Sequence, residues 1–160
     1  MLEWIANSPY ATWVNQSWGW PIALTLHAFG TATVVSLTFI VYLRLLGLFR
    51  TIPYTSLRML VRLVWLGLLC QVVSGLSLWT VKPAQYLGDG MFQIKMGLLA
   101  TSIIVTLILQ WIIWREAATW ERDGTVSSRG VGFVAVTALL WAAVTVGGRL
   151  TAYLGTLYPS

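Results

Sequence analysis

The only histidine in the chain, His27, lies inside an uncharged run from Pro21 to Leu43. An ionisable group inside such a run is costly to bury, which marks it as a functional candidate. Few other residues carry chemistry. Met91 and Met96 bracket Lys95, Arg149 follows Gly147 and Gly148, and Cys70 is the single cysteine, so no internal disulfide forms. Imidazole is a natural axial ligand for haem iron. With one histidine per chain, a second ligand would be Met, Lys, water or a histidine from another subunit. Imidazole with thioether also suits Cu(I), which brings in Met91 and Met96. Lys95 and Arg149 fit a haem propionate, a quinone oxygen or a lipid phosphate. Structural readings stand beside each of these. His27 could be a neutral imidazole bonded to Thr31, Ser74, Ser77 or a backbone carbonyl. The methionines could fill gaps between helices. Lys95 and Arg149 could reach to headgroups. Gln71 reads as a helix-to-helix bond, and Cys70 as a small buried hydrophobe.

The elements that hold these residues follow from composition. Of 160 residues, 58% are hydrophobic and 9% charged. Soluble domains carry about 25% charged residues, so a water-facing surface is excluded. A mean hydropathy of +0.76 and ten Trp agree, since Trp gathers at membrane–water interfaces. Four uncharged runs, 21–43, 63–81, 96–114 and 130–148, are each close to the ~20 helical residues that cross a bilayer. Barrel strands would alternate with period two, and these runs do not. The fold expected is all-α, a single integral membrane four-helix bundle over 1–160. Trp4, Tyr10, Trp13, Trp18 and Trp20 predict an interfacial N-terminal segment. No basic residue precedes Arg44, so this start does not read as a signal peptide.

Charge sets the orientation. Arg44, Arg50, Arg58 and Arg62 flank the first connection, and Arg115, Arg122 and Arg129 flank the third. The positive-inside rule places these in the cytoplasm and both termini in the periplasm, for a multi-pass protein of the bacterial inner membrane. His27 then falls ~10 Å below the outer end of its helix. Met91, Lys95, Met96 and Arg149 share that end, as do Trp79, Lys82, Tyr86 and Tyr153.

With these residues in hand, the chain resembles a family of small four-helix bacterial membrane proteins of uncharacterised function, akin to the copper-resistance D (CopD-like) proteins. The pattern is Leu26-His27-Ala28, then Tyr42-Leu43-Arg44-Leu45-Leu46-Gly47, Phe92-Gln93-Ile94-Lys95-Met96 and Gly148-Arg149. It covers roughly residues 18 to 155. Each motif is weak alone, and their order and spacing carry the likeness. Tyr42 stands where the pattern has an acid, and Leu107-Ile108-Leu109-Gln110-Trp111 lacks the span-three histidine of some relatives. A more distant likeness, through His27 and Lys95, is to HemJ-type protoporphyrinogen oxidases, which implies a bound b-type haem.

Three functions are expected from these readings. The first is a redox-linked membrane subunit holding haem b or a quinone in the outer third, with His27 as iron ligand or hydrogen-bond partner and Lys95 and Arg149 offsetting negative charge. The second is a non-catalytic subunit of a respiratory or photosynthetic complex, partnered by other membrane subunits or a second copy. The third is copper handling at the periplasmic face through His27, Met91 and Met96. Stand-alone catalysis has no support, although a place in an oxidoreductase complex does. No carboxylate lies inside a span, which argues against a proton-coupled transporter. No phosphate loop, CxxC or HExxH is present, and nucleic-acid binding has no support.

Overall fold

The computed structural model describes the backbone of residues 2–157 and the side chains of 2–150. Among these residues the chain is all α-helical, with one short 3-10 turn at Tyr54–Ser56. The helices are α1 (Glu3–Ala6), α2 (Pro9–Gln16), α3 (Gly19–Leu45), α4 (Leu57–Trp79), α5 (Pro83–Gly88), α6 (Gly90–Asp123) and α7 (Ser128–Leu157). Helices α3, α4, α6 and α7 are long and apolar enough to cross a membrane. They form the expected four-helix bundle. Its surroundings are a lipid bilayer, because large apolar side chains such as Leu66, Leu69, Ile104 and Leu139 cover its outer surface.

The helices outrun the hydrocarbon-length runs read from sequence. Charged residues are tolerated once a helix has left the lipid, so α6 continues through Arg115, Glu116, Glu121 and Arg122. Its 34 residues span about 51 Å at 1.5 Å per residue, well beyond a ~30 Å hydrocarbon layer. Helix α4 ends at Trp79, before the expected 81, because Lys82 precedes Pro83 and is held out of the helical region at φ −140°. Asp89 opens α6 by accepting from the Met91 backbone N–H at 2.9 Å. Gly124 closes it in the left-handed region, at φ 67°.

Helix α3 packs on α4 and α7, and α6 packs on α7 and α4, which closes a ring of four. Buried apolar side chains fall into two clusters. One lies at the arginine-rich end around Val41, Leu57, Leu109, Ile112, Ile113 and Val134. The other lies midway, around Val34, Val64, Leu68, Trp141 and Val144. Beyond these, toward the His27 end, the buried positions on α3 and α4 are small: Ala23, Gly30, Ser74 and Ser77. The N-terminal segment closes that end. Ala11 and Val14 of α2 are buried against the bundle, while Trp4, Trp13 and Trp18 face outward. Ser77 Oγ donates to the Val73 carbonyl at 2.9 Å, so Tyr10 must donate to Ser77 at 2.7 Å.

The arginine-rich end is tied by polar bonds that composition did not reveal. Arg44, only 5% exposed, donates from Nε to the Ile52 carbonyl, with its guanidinium 3.6 Å from the Tyr54 ring centre. That aromatic face offsets the charge of a cation held out of water. Arg58 donates to the Trp114 carbonyl at 2.9 Å, and Trp65 donates to Gln110 at 2.6 Å across α4 and α6.

Candidate functional site

Helix α3 brings His27 against α4 at a place where α4 has no side chain. A Cβ at Gly75 would lie 3.3 Å from His27 Cε1, so the imidazole packs closely against that turn. His27 Nδ1 lies 3.0 Å from Ser74 Oγ. Ser74 also reaches the Cys70 carbonyl one turn back, at 2.5 Å. A carbonyl only accepts and a hydroxyl has one proton, so Ser74 gives its proton to Cys70. His27 must then donate from Nδ1 to Ser74. This assigns the neutral tautomer with hydrogen on Nδ1 and leaves the Nε2 lone pair available.

A second bond holds the same helix pair. Gln71 donates to Thr31 Oγ1 at 2.7 Å, and Thr31 donates to the His27 carbonyl at 2.9 Å. Gln71 and Ser74 of α4 therefore hold the backbone and ring of His27 from adjacent turns. Among the described residues Gln71 Oε1 is buried with no partner. Between these contacts the two backbones nearly touch. A Cβ at Gly30 would lie 2.9 Å from the Gln71 nitrogen and 2.9 Å from the Gly67 carbonyl oxygen.

Lys95 arrives from α6. Its side chain lies across α7 at Gly148, where a Cβ would be 3.5 Å from Lys95 Cε. It is partly buried. His27 thus lies against Gly75 of α4, and Lys95 against Gly148 of α7. Arg149, next to Gly148, is exposed. Met91 is partly buried in the first turn of α6, and Met96 is 44% exposed on its outer surface. Lys82 is exposed, Trp79 is partly buried, and Tyr153 lies outside the described side chains. Tyr86 is half-buried beside Phe92 at 5.4 Å, and burial pushes its hydroxyl ionisation upward, so it stays a neutral donor.

Cys70 corrects an expectation. It is exposed, not buried. The buried stripe of α4 runs through Gly67, Ser74 and Ser77, and Cys70 shares the outward face with Leu66, Leu69 and Val73. Among the described residues no group of three or more His, Cys, Asp or Glu gathers as a metal site. A cavity of about 480 Å³ opens on the outer surface between α3 and α4, lined by Ala32, Thr33, Ser36, Leu37, Leu63 and Leu66. It does not include His27. Ser74, Gly75 and Gly148 are the site residues that sequence reading did not single out as a group. Their signal is spacing: Ser74 and Gly75 lie one turn from Gln71, and Gly148 is beside Arg149.

A scan against protein-family models, a search of curated proteins and a search of solved structures each find no match to this chain.

Proposed function

We propose that this chain is a redox-linked integral membrane subunit that holds a b-type haem or a quinone head at His27. The observation that supports this reading is the proton assignment at Ser74. Metal-bound histidines usually donate the second ring N–H to an oxygen, which fixes the tautomer and aims the free nitrogen. His27 is arranged in that way, with Nδ1 committed and Nε2 open. The donor set fits a haem held through one protein ligand. His27 would hold the iron, and Lys95 and Arg149 would offset the propionates. The haem would supply one-electron transfer. Met96 faces outward, so Lys95, water, a second copy or another subunit would complete the donor set. A quinone suits the same pair. Lys95 only donates, to a carbonyl oxygen, and His27 Nε2 accepts from a quinol hydroxyl. His27 Nε2 would be the atom that holds a proton there.

The resemblance to CopD-like and HemJ-type proteins belongs to this proposal, as does the placement of His27 at the periplasmic side of a bacterial inner membrane. The arginine-rich end supports that orientation through the positive-inside rule.

The deciding measurement is the optical spectrum of the full chain in mild detergent, air-oxidised and then dithionite-reduced. Sharp reduced bands with about one haem per chain are the expected result for haem. A colourless preparation with stoichiometric extractable quinone places the quinone there instead. A colourless, quinone-free preparation from haem-competent cells overturns the proposal and leaves His27 as a bond between helices.

A further inference from the structure

At the opposite end of the bundle, two cations share one aromatic ring. The guanidinium of Arg115, on α6, lies 4.3 Å from the Trp111 ring centre. That of Arg129, on α7, lies 5.8 Å from the same centre. Beside them Arg62, on α4, lies 5.5 Å from the ring of Trp114. All three arginines are exposed, and no carboxylate pairs with Arg115 or Arg129 among the described residues. The nearest acid in sequence, Glu116, accepts instead from Ser127. Like charges gathered on one ring without a counterion repel one another, and an anion between them removes that cost.

The surface below the pair is ordered like a phospholipid. Ile104, Leu107, Ile108 and Trp111 are exposed and recur at three- and four-residue spacing, with Arg115 next on the same face. Running toward the arginine-rich end, the stripe passes from aliphatic to indole to guanidinium. From Ile104 to Arg115 is about 16 Å along the helix, and one leaflet of hydrocarbon is ~15 Å deep. An acyl chain along the stripe therefore brings its glycerol level with Trp111 and its phosphate level with Arg115 and Arg129.

We propose that this face is a binding site for one anionic phospholipid, its phosphate held between Arg115 and Arg129 and an acyl chain laid along Ile104, Leu107 and Ile108. A guanidinium fork matches a phosphodiester oxygen pair, and Trp111 keeps both forks at the depth where the phosphate sits. The site is independent of His27 and lies at the other membrane surface.

Native mass spectrometry of the full chain tests it, after exchange into micelles holding equal phosphatidylglycerol and phosphatidylcholine with identical acyl chains. Phosphatidylglycerol is expected as the retained adduct. Arg115→Gln with Arg129→Gln should weaken it about fivefold per guanidinium removed. Trp111→Leu, which keeps the charge, should also weaken it. Arg50→Gln with Arg122→Gln removes the same charge from the same end and should leave retention unchanged, with helical content by circular dichroism unchanged in every variant. Four outcomes overturn the proposal: equal loss in both double variants, no preference over phosphatidylcholine, displacement by excess inorganic phosphate, or an Arg115- and Arg129-dependent polypeptide adduct in place of lipid.

Discussion

Replacing Ser74 with alanine is expected to weaken retention of the ligand at His27 by roughly 10- to 100-fold, the usual cost of losing the group that orients a ligating histidine. The reason is the proton chain described above. Ser74 accepts from His27 Nδ1 only because its own proton is spent on the Cys70 carbonyl. Alanine removes the hydroxyl that accepts from Nδ1–H, so the ring is held less firmly and its hydrogen less strictly on Nδ1. Ser74→Thr keeps the hydroxyl and should restore most of the retention. His27→Ala should abolish it. The fold should barely notice Ser74→Ala, since hydrogen bonds between membrane helices average about 0.6 kcal/mol. Occupancy after a detergent wash, read by absorbance for haem or by extraction for quinone, separates these cases. Full retention in Ser74→Ala with loss in His27→Ala would refute the tautomer assignment and leave the site itself standing.

The second large effect is expected at Gly30. In an isolated helix, glycine to alanine gains about 1 kcal/mol. Here the new methyl would meet the Gln71 nitrogen and the Gly67 carbonyl oxygen, both at 2.9 Å. Backbone atoms cannot swing aside, so α3 and α4 must separate. Overpacking typically costs 1–3 kcal/mol, and an unyielding contact belongs at the upper end. The balance is a net destabilisation of about 2 kcal/mol, measurable by unfolding in mixed micelles with a titrated denaturing detergent. Gly30 sits one turn from His27, so the same separation draws Nδ1 away from Ser74. Gly30→Ala should therefore lose the ligand as well as stability, whereas Ser74→Ala loses the ligand alone. A stabilised Gly30→Ala would show that the helix pair is looser than its geometry.

Much of the architecture was legible because lipid imposes one rule on every residue of a span. Uncharged runs in a chain this poor in charge have no water-facing alternative, so four helices and their order followed from composition. The helix ends were less legible, because nothing in hydropathy distinguishes a helix that stops from one that continues into water, as α6 does to Asp123. Arginines at the loops were read by number, as topology. Their individual partners were not accessible in that way. Arg44 faces the Tyr54 ring, which lies across a turn whose path is tertiary. At the site, Ser74 was among the partners considered for His27, since the hydroxyls of α4 are few. The choice between Ser74 and Ser77 depended on the α2 segment, whose Tyr10 occupies Ser77. Lys95 was grouped with His27 by helix end alone. Its contact with α7 at Gly148 is a packing fact. Cys70 went astray because periodicity in an all-apolar helix does not say which face turns inward.

The unequal distribution of buried apolar side chains has a mechanical consequence. The two clusters fasten the four helices from midway to the arginine-rich end. The remaining third is joined by small residues and a few hydroxyl and amide bonds, each of modest worth. A bundle built in this way behaves like forceps with a riveted hinge. The tips of α3, α4, α6 and α7 can part or grip around something lodged beside His27, while the hinge near Ile112 and Ile113 keeps its register. Opening the tips parts small residues and a few polar bonds, whereas shifting the hinge would expose many large apolar side chains, so compliance is greater at the tips. Amide exchange should be faster through Ala23–Gly30 than through Val41–Leu45 of the same helix. Anything that bridges His27 and Lys95 would then slow exchange at the tips and leave the hinge unchanged.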